Sequence, residues 1–285
     1  MYWLENSEID RMRWEKCVMA SAQEHIYGYP DFLDIVSPRW AGVIVGDYEA
    51  VIPMPIKRKT GLTLLMQPLF MQRIKYFGNT ALYSPEVFLK LLKSKINLFD
   101  ACFDRDLSIQ GRPRLNCIVP VHRDIVSTMS AHHRRNFRKS DAQGLILKKL
   151  DAPDSLLNIF TTARADIHLP AQFGQILKAL CEKFIPEGSA RLMGIYHGEK
   201  LLGGMFTLSS LRSEVLLFTA QSEDGKAKGA LYFGVGNTLL KAEKTFDFEG
   251  SNDSGLRRFY MGFGATEEVY YHRRSMPLRL LSSWK

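Results

Sequence analysis

The sequence predicts an α/β protein in which a mixed β-sheet flanked by helices occurs in two similar units. Two segments carry this prediction, Trp40–Phe70 and Arg191–Gln221, because each reads as three consecutive strands joined by turns. The turns Gly46-Asp47 and His197-Gly198 have the residue types that join hairpin strands. Each segment is followed by a helical pattern and then by a short aromatic strand that ends in acidic residues. The repeated layout indicates a tandem duplication.

The helical patterns lie before and after these two segments, over residues 5–22, 84–97, 155–166, 171–184 and 229–244. In both copies a helix separates the third strand from the next one. Such a connection favours a right-handed crossover, so these two strands should be parallel. We therefore predict a first unit over residues 1–127 and a second unit over residues 128–285.

Composition restricts the class of protein. The 285 residues are 46% hydrophobic and 24% charged, which is typical of a soluble globular chain. No apolar run is long enough to span a bilayer, and the N-terminus lacks a signal-peptide segment, so we expect a cytoplasmic protein. The net charge of +8 favours anionic partners such as nucleic acid, phosphorylated cofactors or acidic lipid, or simply serves solubility. The sequence leaves these alternatives and the oligomeric state open.

The cysteines argue against metal or disulfide chemistry. The four thiols are far apart and form no CxxC pair, so we expect reduced, buried side chains, with neither a zinc site nor a disulfide framework. The neighbouring His132 and His133 project from different sides of a predicted helix and should not share a metal ion. No Walker loop, Rossmann fingerprint or Ser-His-Asp elbow can be placed on a suitable strand–helix junction.

Two stretches resemble one known family. Residues 130–150, SAHHRRNFRKSDAQGLILKKL, contain an Arg-Arg-Asn, an Arg-Lys, a Gly and then a strand. Residues 246–265, FDFEGSNDSGLRRFYMGFGA, contain an Asp-Phe-Glu-Gly-Ser turn, an Arg-Phe and a Gly-Phe-Gly. Both are similar to the FemAB and CelD-like group of the GNAT acyltransferase superfamily, whose members carry two GNAT-like units. The resemblance implies two such units packed side by side and the transfer of a group to an amine.

The resemblance implies acetyl-CoA or another acyl-CoA as co-substrate and a small-molecule or peptide-like amine as acceptor. An alternative is a FemAB-type transferase that uses aminoacyl-tRNA on cell-wall precursors, although the long helical arm of some such members has no counterpart here. A third possibility is a ligand-binding protein that keeps the fold without catalysis, because Leu231 occupies a position where the family's donor loop prefers a small residue. A nucleic-acid binder is a fourth, without a recognisable motif.

The predicted donor site lies between the third strand of the second segment and the following helix. Glycines allow close backbone approach, and lysines beside the free N–H groups of a helix start form an anion site. An ordinary exposed turn would have the same composition. The cofactor-binding candidates are Gly225, Lys226, Lys228, Gly229 and Ala230.

The predicted acceptor site and catalytic residues come from the two family-like stretches. The substrate-binding candidates are Arg134, Arg135, Arg138, Asp247 and Ser251. Glu249, at the end of the aromatic strand, is the candidate general base, and Tyr270 or Tyr271 could protonate the leaving thiolate. The alternatives are that Asp247 and Glu249 pair with Arg257 or Arg258, and that the basic helix is only a solvated face.

Overall fold

A computed structural model of the chain describes residues 1–122, 124–250 and 252–275. The chain divides into two compact units. The first unit comprises residues 1–114 together with the chain from Val269 onward, and the second comprises Leu115–Glu268. The predicted boundary lay between residues 127 and 128. In the structure, one boundary lies within the strand Arg112–Val119 and the other within the last strand, Thr266–Arg274.

The elements up to the boundary form most of the first unit. In chain order they are β1 (Tyr2–Glu5), α1 (Arg11–Ala20), α2 (Pro30–Val36), β2 (Ala41–Val45), β3 (Ala50–Met54), β4 (Ile56–Lys59), β5 (Leu62–Met66), β6 (Phe77–Gly78), α3 (Pro85–Lys95) and β7 (Leu98–Asp104). The remaining elements begin with the strand at the boundary. They are β8 (Arg112–Val119), α4 (Ile125–Thr128), α5 (Ala131–Asp141), β9 (Leu145–Lys149), α6 (Asp154–Ala163), α7 (Phe173–Phe184), β10 (Ala190–His197), β11 (Lys200–Ser209), β12 (Ser213–Gln221), α8 (Glu223–Lys228), α9 (Ala230–Leu240), β13 (Thr245–Asp247), α10 (Ser254–Met261) and β14 (Thr266–Arg274).

The strands of the first unit form two groups of hydrogen-bonded neighbours, in the orders β1-β2-β3-β6 and β4-β5-β7-β14. The strands β5 and β7, separated by α3, are parallel, as predicted from the crossover rule. Ser84 caps α3 by accepting a hydrogen bond from the Val87 N–H, with Pro85 at the first helical position.

The prediction of a helix over residues 5–22 is wrong at the N-terminal end of that range. Tyr2–Glu5 is a strand whose residues pair antiparallel with β2, and the helix begins only after Asp10. The Asp10 side chain accepts a hydrogen bond from the Arg13 N–H and so starts the helix there. Trp14 of this helix packs against Trp40 with ring centroids 5.1 Å apart in the core of the unit.

The second unit has the strand order β8-β13-β12-β11-β10-β9. The strands β12 and β13, separated by α8 and α9, are parallel, so the crossover prediction is confirmed here too. The helix α9 covers a core that includes Val235, Leu239, Phe246 and Phe263. The structure is a mixed α/β fold, as predicted.

Two predictions from composition can be compared with the described residues. All four cysteines are free thiols; three are buried and Cys102 is half-buried. Within the described ranges, no helix has both the length and the apolar character required to cross a bilayer.

Candidate functional site

The candidate site of the second unit lies where its two parallel strands separate. Ser213–Val215 pairs with Thr245–Asp247, where β13 ends, whereas β12 continues to Gln221. The segments that follow both strands therefore start at the carboxyl ends of parallel strands, where open α/β sheets bind ligands. The predicted donor segment follows β12, and the predicted acidic segment follows β13.

The acidic segment is a turn fixed by Asp247. Its buried carboxylate accepts a hydrogen bond from the Glu249 N–H at 2.7 Å. Glu249 has a φ of 55° and Gly250 a φ of 59°, so both residues are left-handed. Strand alternation thus ends at Asp247, and Glu249 projects from the turn instead of from a strand face. Ser251 lies outside the described residues.

Arg257, one of the arginines predicted as an alternative partner of these carboxylates, lies beside a different acidic residue. Arg257 lies 3.6 Å from Glu267, measured from Nε to Oε1. The helix that follows the turn is capped by Asp253, which accepts a hydrogen bond from the Leu256 N–H at 2.8 Å. Glu249 is half-buried and Asp247 is buried, and each takes part in further interactions, so neither carboxylate is unpaired. The catalytic role of Glu249 stays a prediction.

The donor segment is a short helix, α8, where the sequence suggested an open loop. Ser222 accepts a hydrogen bond from the Gly225 N–H at 3.1 Å, so this amide is already used. Gly225 is buried against β11, and a Cβ at this position would collide with the carbonyl oxygen of Leu202. The glycine therefore allows close packing of α8 on the sheet, which is a structural reason for its presence.

The start of α9 retains the features of an anion site. Gly229 has a φ of 72° and makes no side-chain cap, so the N–H groups in the first turn of α9 have no capping acceptor. Ala230 is fully buried, and Gly229 and Leu231 are half-buried. Lys226 is exposed and Lys228 half-buried, and neither has an ion pair with another described residue. A Cβ on Gly229 would lie 3.3 Å from Cβ of Ser140, so the end of α5 lies beside this helix start.

Of the three arginines in the basic helix α5, one binds backbone carbonyl groups and two are exposed. Arg134 Nη1 donates hydrogen bonds to the carbonyl oxygens of Ser127 and Met129 at 3.0 and 2.9 Å, so it stabilises the preceding turn. Arg135 and Arg138 are exposed, and Arg138 lies in the last turn of the helix. Of the predicted ligands in α5, these two are therefore available to bind an anion, and Arg138 belongs to the helix end beside α9.

His133 is a residue whose role sequence reasoning missed. Its Nε2 lies 2.8 Å from the carbonyl oxygen of Phe259, and its Nδ1 lies 3.1 Å from Oγ of Ser130. Because a carbonyl only accepts, Nε2 carries the proton and Nδ1 accepts from the serine. Burial lowers the pKa of this imidazole. The sequence held no signal for the contact, because Phe259 is far away along the chain.

The candidate tyrosines belong to the first unit. Tyr270 is buried and lies opposite Asp104 in the β7–β14 pairing, with the Arg73 guanidinium 5.7 Å from its ring centroid. Tyr271 lies opposite Phe103 and is half-buried. Glu249 belongs to the second unit, so the predicted catalytic group is drawn from both units and stays a prediction.

The comparison with known proteins concerns the fold. Neither a protein-family model nor a curated protein sequence matches the chain. Among solved structures, FemX has a TM-score of 0.69 at 12% sequence identity and covers 100% of this chain and 99% of its own. The chain has a FemX-like, FemAB-like fold.

Two further solved structures share this fold. One is described as the C-terminal domain of a lysylphosphatidylglycerol synthetase from Agrobacterium fabrum, with a TM-score of 0.62 at 11% identity over 98% of this chain and 95% of that one. The other is L-PGS from Bacillus licheniformis, with a TM-score of 0.54 at 13% identity over 95% and 94%. At these identities the FemAB-like fold is what the likeness establishes.

Proposed function

We propose that the protein transfers an acyl group from a phosphate-bearing donor to an amine. The observation that carries the proposal is the start of α9, where uncapped N–H groups lie beside Lys226 and Lys228 at the open end of the parallel strands. Helix starts of this kind bind phosphate groups, since the N–H groups and the helix dipole both favour negative charge. The FemAB-like fold over the whole chain supports the same reaction class.

Acyl-CoA, with acetyl-CoA as the simplest case, is the first candidate donor. Its phosphates would bind at Gly229 and the two lysines, with Arg138 contributing from the end of α5, whereas the predicted ligand Ala230 is fully buried. Aminoacyl-tRNA is the second candidate, and it is favoured by the name of one structure that shares the fold, which refers to a lysyl group. Exposed Arg135 and Arg138 would then contact the nucleic-acid backbone, as arginine forks suit phosphate oxygens.

Thermal unfolding with each donor tests the proposal. A ligand at about 100 times its dissociation constant adds about 2.7 kcal/mol to the free energy of unfolding, so the melting temperature should rise by several degrees. We expect stabilisation by acetyl-CoA or by a charged tRNA, and its loss in a Lys226→Ala, Lys228→Ala double variant. Lys178→Ala, which removes an exposed helical lysine elsewhere in the unit, is the matched control.

The outcomes separate the candidates. Stabilisation by acetyl-CoA alone identifies the acyl-CoA enzyme, and stabilisation by charged tRNA alone identifies the aminoacyl transferase. A protein stabilised by one of them that transfers nothing to any amine would be a ligand-binding protein that keeps the fold. If neither donor changes the melting temperature at millimolar or saturating concentration, the proposal fails.

A further inference from the structure

The first unit contains a cleft between the helix α1 and the turn that joins β2 to β3. Its volume is about 550 Å³, and small-molecule sites in proteins commonly enclose about 300–1,000 Å³. Arg13, Lys16 and Cys17 line it from the helix, and Asp47 and Glu49 line it from the turn. All of these residues belong to the first unit. None of them is part of the donor site proposed at the start of α9.

The turn side of the cleft is fixed to the helix. Arg13 forms an ion pair with the Asp47 carboxylate, and its Nη2 also donates a hydrogen bond to the Asp47 carbonyl oxygen at 2.8 Å. The same guanidinium lies 4.8 Å from the ring centroid of Tyr48, whose hydroxyl accepts a hydrogen bond from the Asp10 N–H at 2.9 Å. These contacts hold Tyr48 at a left-handed φ of 62°, which a residue with a side chain rarely adopts. A ligand would therefore not have to order this side of the cleft.

The end of β6, which also lines the cleft, is fixed as well. Oγ of Ser21 accepts a hydrogen bond from the Gly78 N–H at 3.0 Å. The Asn79 N–H donates to the carbonyl oxygen of Glu49, also at 3.0 Å. Burial raises the pKa of the Cys17 thiol to about 11, so this thiol is neutral. The charge of the lining is therefore set by its arginine, its lysine and its two carboxylates.

Two of these four charged side chains are paired and two are not. Arg13 and Asp47 neutralise each other. In the part of the chain that the structure describes, neither Lys16 nor Glu49 has a side-chain hydrogen bond or an ion pair, and both residues are exposed. The Glu49 carboxylate lies against Gly46, where a Cβ would collide with it. The cleft thus offers an ammonium group from the helix and a carboxylate from the turn.

We propose that this cleft binds a small zwitterion, an amino acid or a short peptide, with its carboxylate at Lys16 and its ammonium group at Glu49. The lining carries two cations and two carboxylates, so a ligand without net charge keeps the balance. Charge-assisted hydrogen bonds at both ends are stronger than those between neutral groups. A ligand with one charge would leave either Lys16 or Glu49 without a partner. The inference does not rest on the proposed acyl transfer.

Isothermal titration calorimetry tests the site with glycine, β-alanine, γ-aminobutyrate and glycylglycine, in which the distance between the two charges differs. We expect saturable binding at one site, with a Kd of about 1 mM or lower for the best of the four. These titrations need no acyl donor, so a failure of the proposed transfer leaves them unaffected. If both charges are merely solvated, none of the four binds in this range, and the inference is overturned.

Substitutions at the two charges test where the ligand binds. Lys16→Met and Glu49→Gln should each raise the Kd of the best ligand about tenfold or more, because each removes one charged contact. Lys90→Met, on α3, and Glu199→Gln, in the turn that joins β10 to β11, change exposed residues outside the cleft and should leave the Kd unchanged. Unaltered binding in either cleft variant overturns the inference.

Ligands with one charge test the orientation. The wild type should bind γ-aminobutyrate more tightly than propylamine or butyrate, each of which lacks one of its charged groups. In Lys16→Met the advantage over propylamine should disappear, and in Glu49→Gln the advantage over butyrate should disappear. The reverse pattern in the two variants overturns the proposed orientation.

Filling the cleft tests the site without changing a charge. Ala20 lines the cleft at the end of α1 and is exposed, so Ala20→Trp should place an indole there and abolish binding. Met12→Trp, at an exposed position of the same helix outside the lining, is the control and should bind normally. Circular dichroism confirms that each variant is folded. Undiminished binding by a folded Ala20→Trp variant would place the ligand elsewhere and overturn the inference.

Discussion

His133 donates a hydrogen bond from Nε2 to the carbonyl oxygen of Phe259, 2.8 Å away, and thereby joins α5 to α10 in the second unit. The N–H of Ser130, the residue that caps α5, donates to the carbonyl oxygen of Gly262 at 2.9 Å. The imidazole also packs against Tyr232 and Phe263, with ring centroids 5.0 and 4.9 Å apart. These contacts fix the basic helix to the helix that follows the acidic turn.

Replacing His133 by Ala should destabilise the second unit. The change leaves the carbonyl of Phe259, at a part-buried site, without this donor, which typically costs about 1–3 kcal/mol, and removes the ring packing as well. Denaturant unfolding followed by circular dichroism measures the loss. His132→Ala, at the exposed neighbouring position, should change stability much less. Equal stability of the two variants would contradict the structural role of His133.

Stability should also depend on pH through His133. Its pKa is lowered in the folded state, chiefly by burial. The unfolded chain therefore binds a proton more readily, and the contribution is fully present above the ordinary histidine pKa of about 6.5 and decreases as the pH falls from there toward the folded value. His133→Gln can keep a donor near Phe259 and does not titrate. Its unfolding free energy should fall less than that of the wild type between about pH 7.5 and pH 5, and parallel curves would rule this out.

Gly262→Ala should be destabilising because of His133. Gly262 has an ordinary helical φ of −65°, so backbone strain is not involved. A Cβ there would collide with the imidazole ring of His133. Overpacking of this kind typically costs about 1–3 kcal/mol. In a His133→Ala background the cost should largely vanish, and a double-mutant cycle measures the difference. If Gly262→Ala were equally destabilising in the His133→Ala background, a group other than the His133 ring would cause the collision.

Asp104 should be essential to the stability of the first unit. Its Oδ2 lies 2.9 Å from Nε of Arg73 and 3.3 Å from Nζ of Lys75, and all three side chains are at most 16% exposed. Burial by itself would raise the pKa of this carboxyl, but Lys75 and Arg73 outweigh burial and lower it. Asp104→Asn leaves two poorly solvated cations without this charge, which typically costs about 3–5 kcal/mol.

The matched control for Asp104 is Asp166, whose ion pair with Arg164 is exposed. Asp166→Asn should change the denaturation midpoint little, because water solvates both charges in the variant. Similar midpoints for the Asp104 and Asp166 variants would show that the buried cations are neutralised in another way.

Glu249→Gln tests the general base predicted from the sequence. If Glu249 takes the proton from the amine, the variant should keep its melting temperature and its turnover should fall about 10²–10⁴-fold, the usual contribution of a positioned proton acceptor. If the carboxylate only stabilises the turn, the variant should lower the free energy of unfolding by about 1–3 kcal/mol and leave turnover per folded molecule unchanged. Thermal unfolding and steady-state kinetics with one donor and one amine separate the two outcomes.

The sequence by itself determined the features that depend on near neighbours in the chain. Ser84, Asp253 and Ser130 cap helices because their side chains reach the N–H groups three residues later. The parallel pairs β5–β7 and β12–β13 followed from a helix between strands, since a right-handed crossover returns the chain in the same direction. The FemAB-like fold was evident from two short stretches for the same reason, because turns and caps are local.

Tertiary structure alone decided the pairing of distant residues. Tyr2–Glu5 is a strand because β2 offers it a free edge, although its own pattern resembles a helix start. His133 meets Phe259, and His272 meets Asp100, across more than a hundred residues of chain. Such a hydrogen bond forms only when the fold brings both partners together. The local sequence around one residue does not identify a partner that lies far along the chain. The chain from Val269 onward belongs to the first unit for this reason, and His272 lies beside Asp100 there.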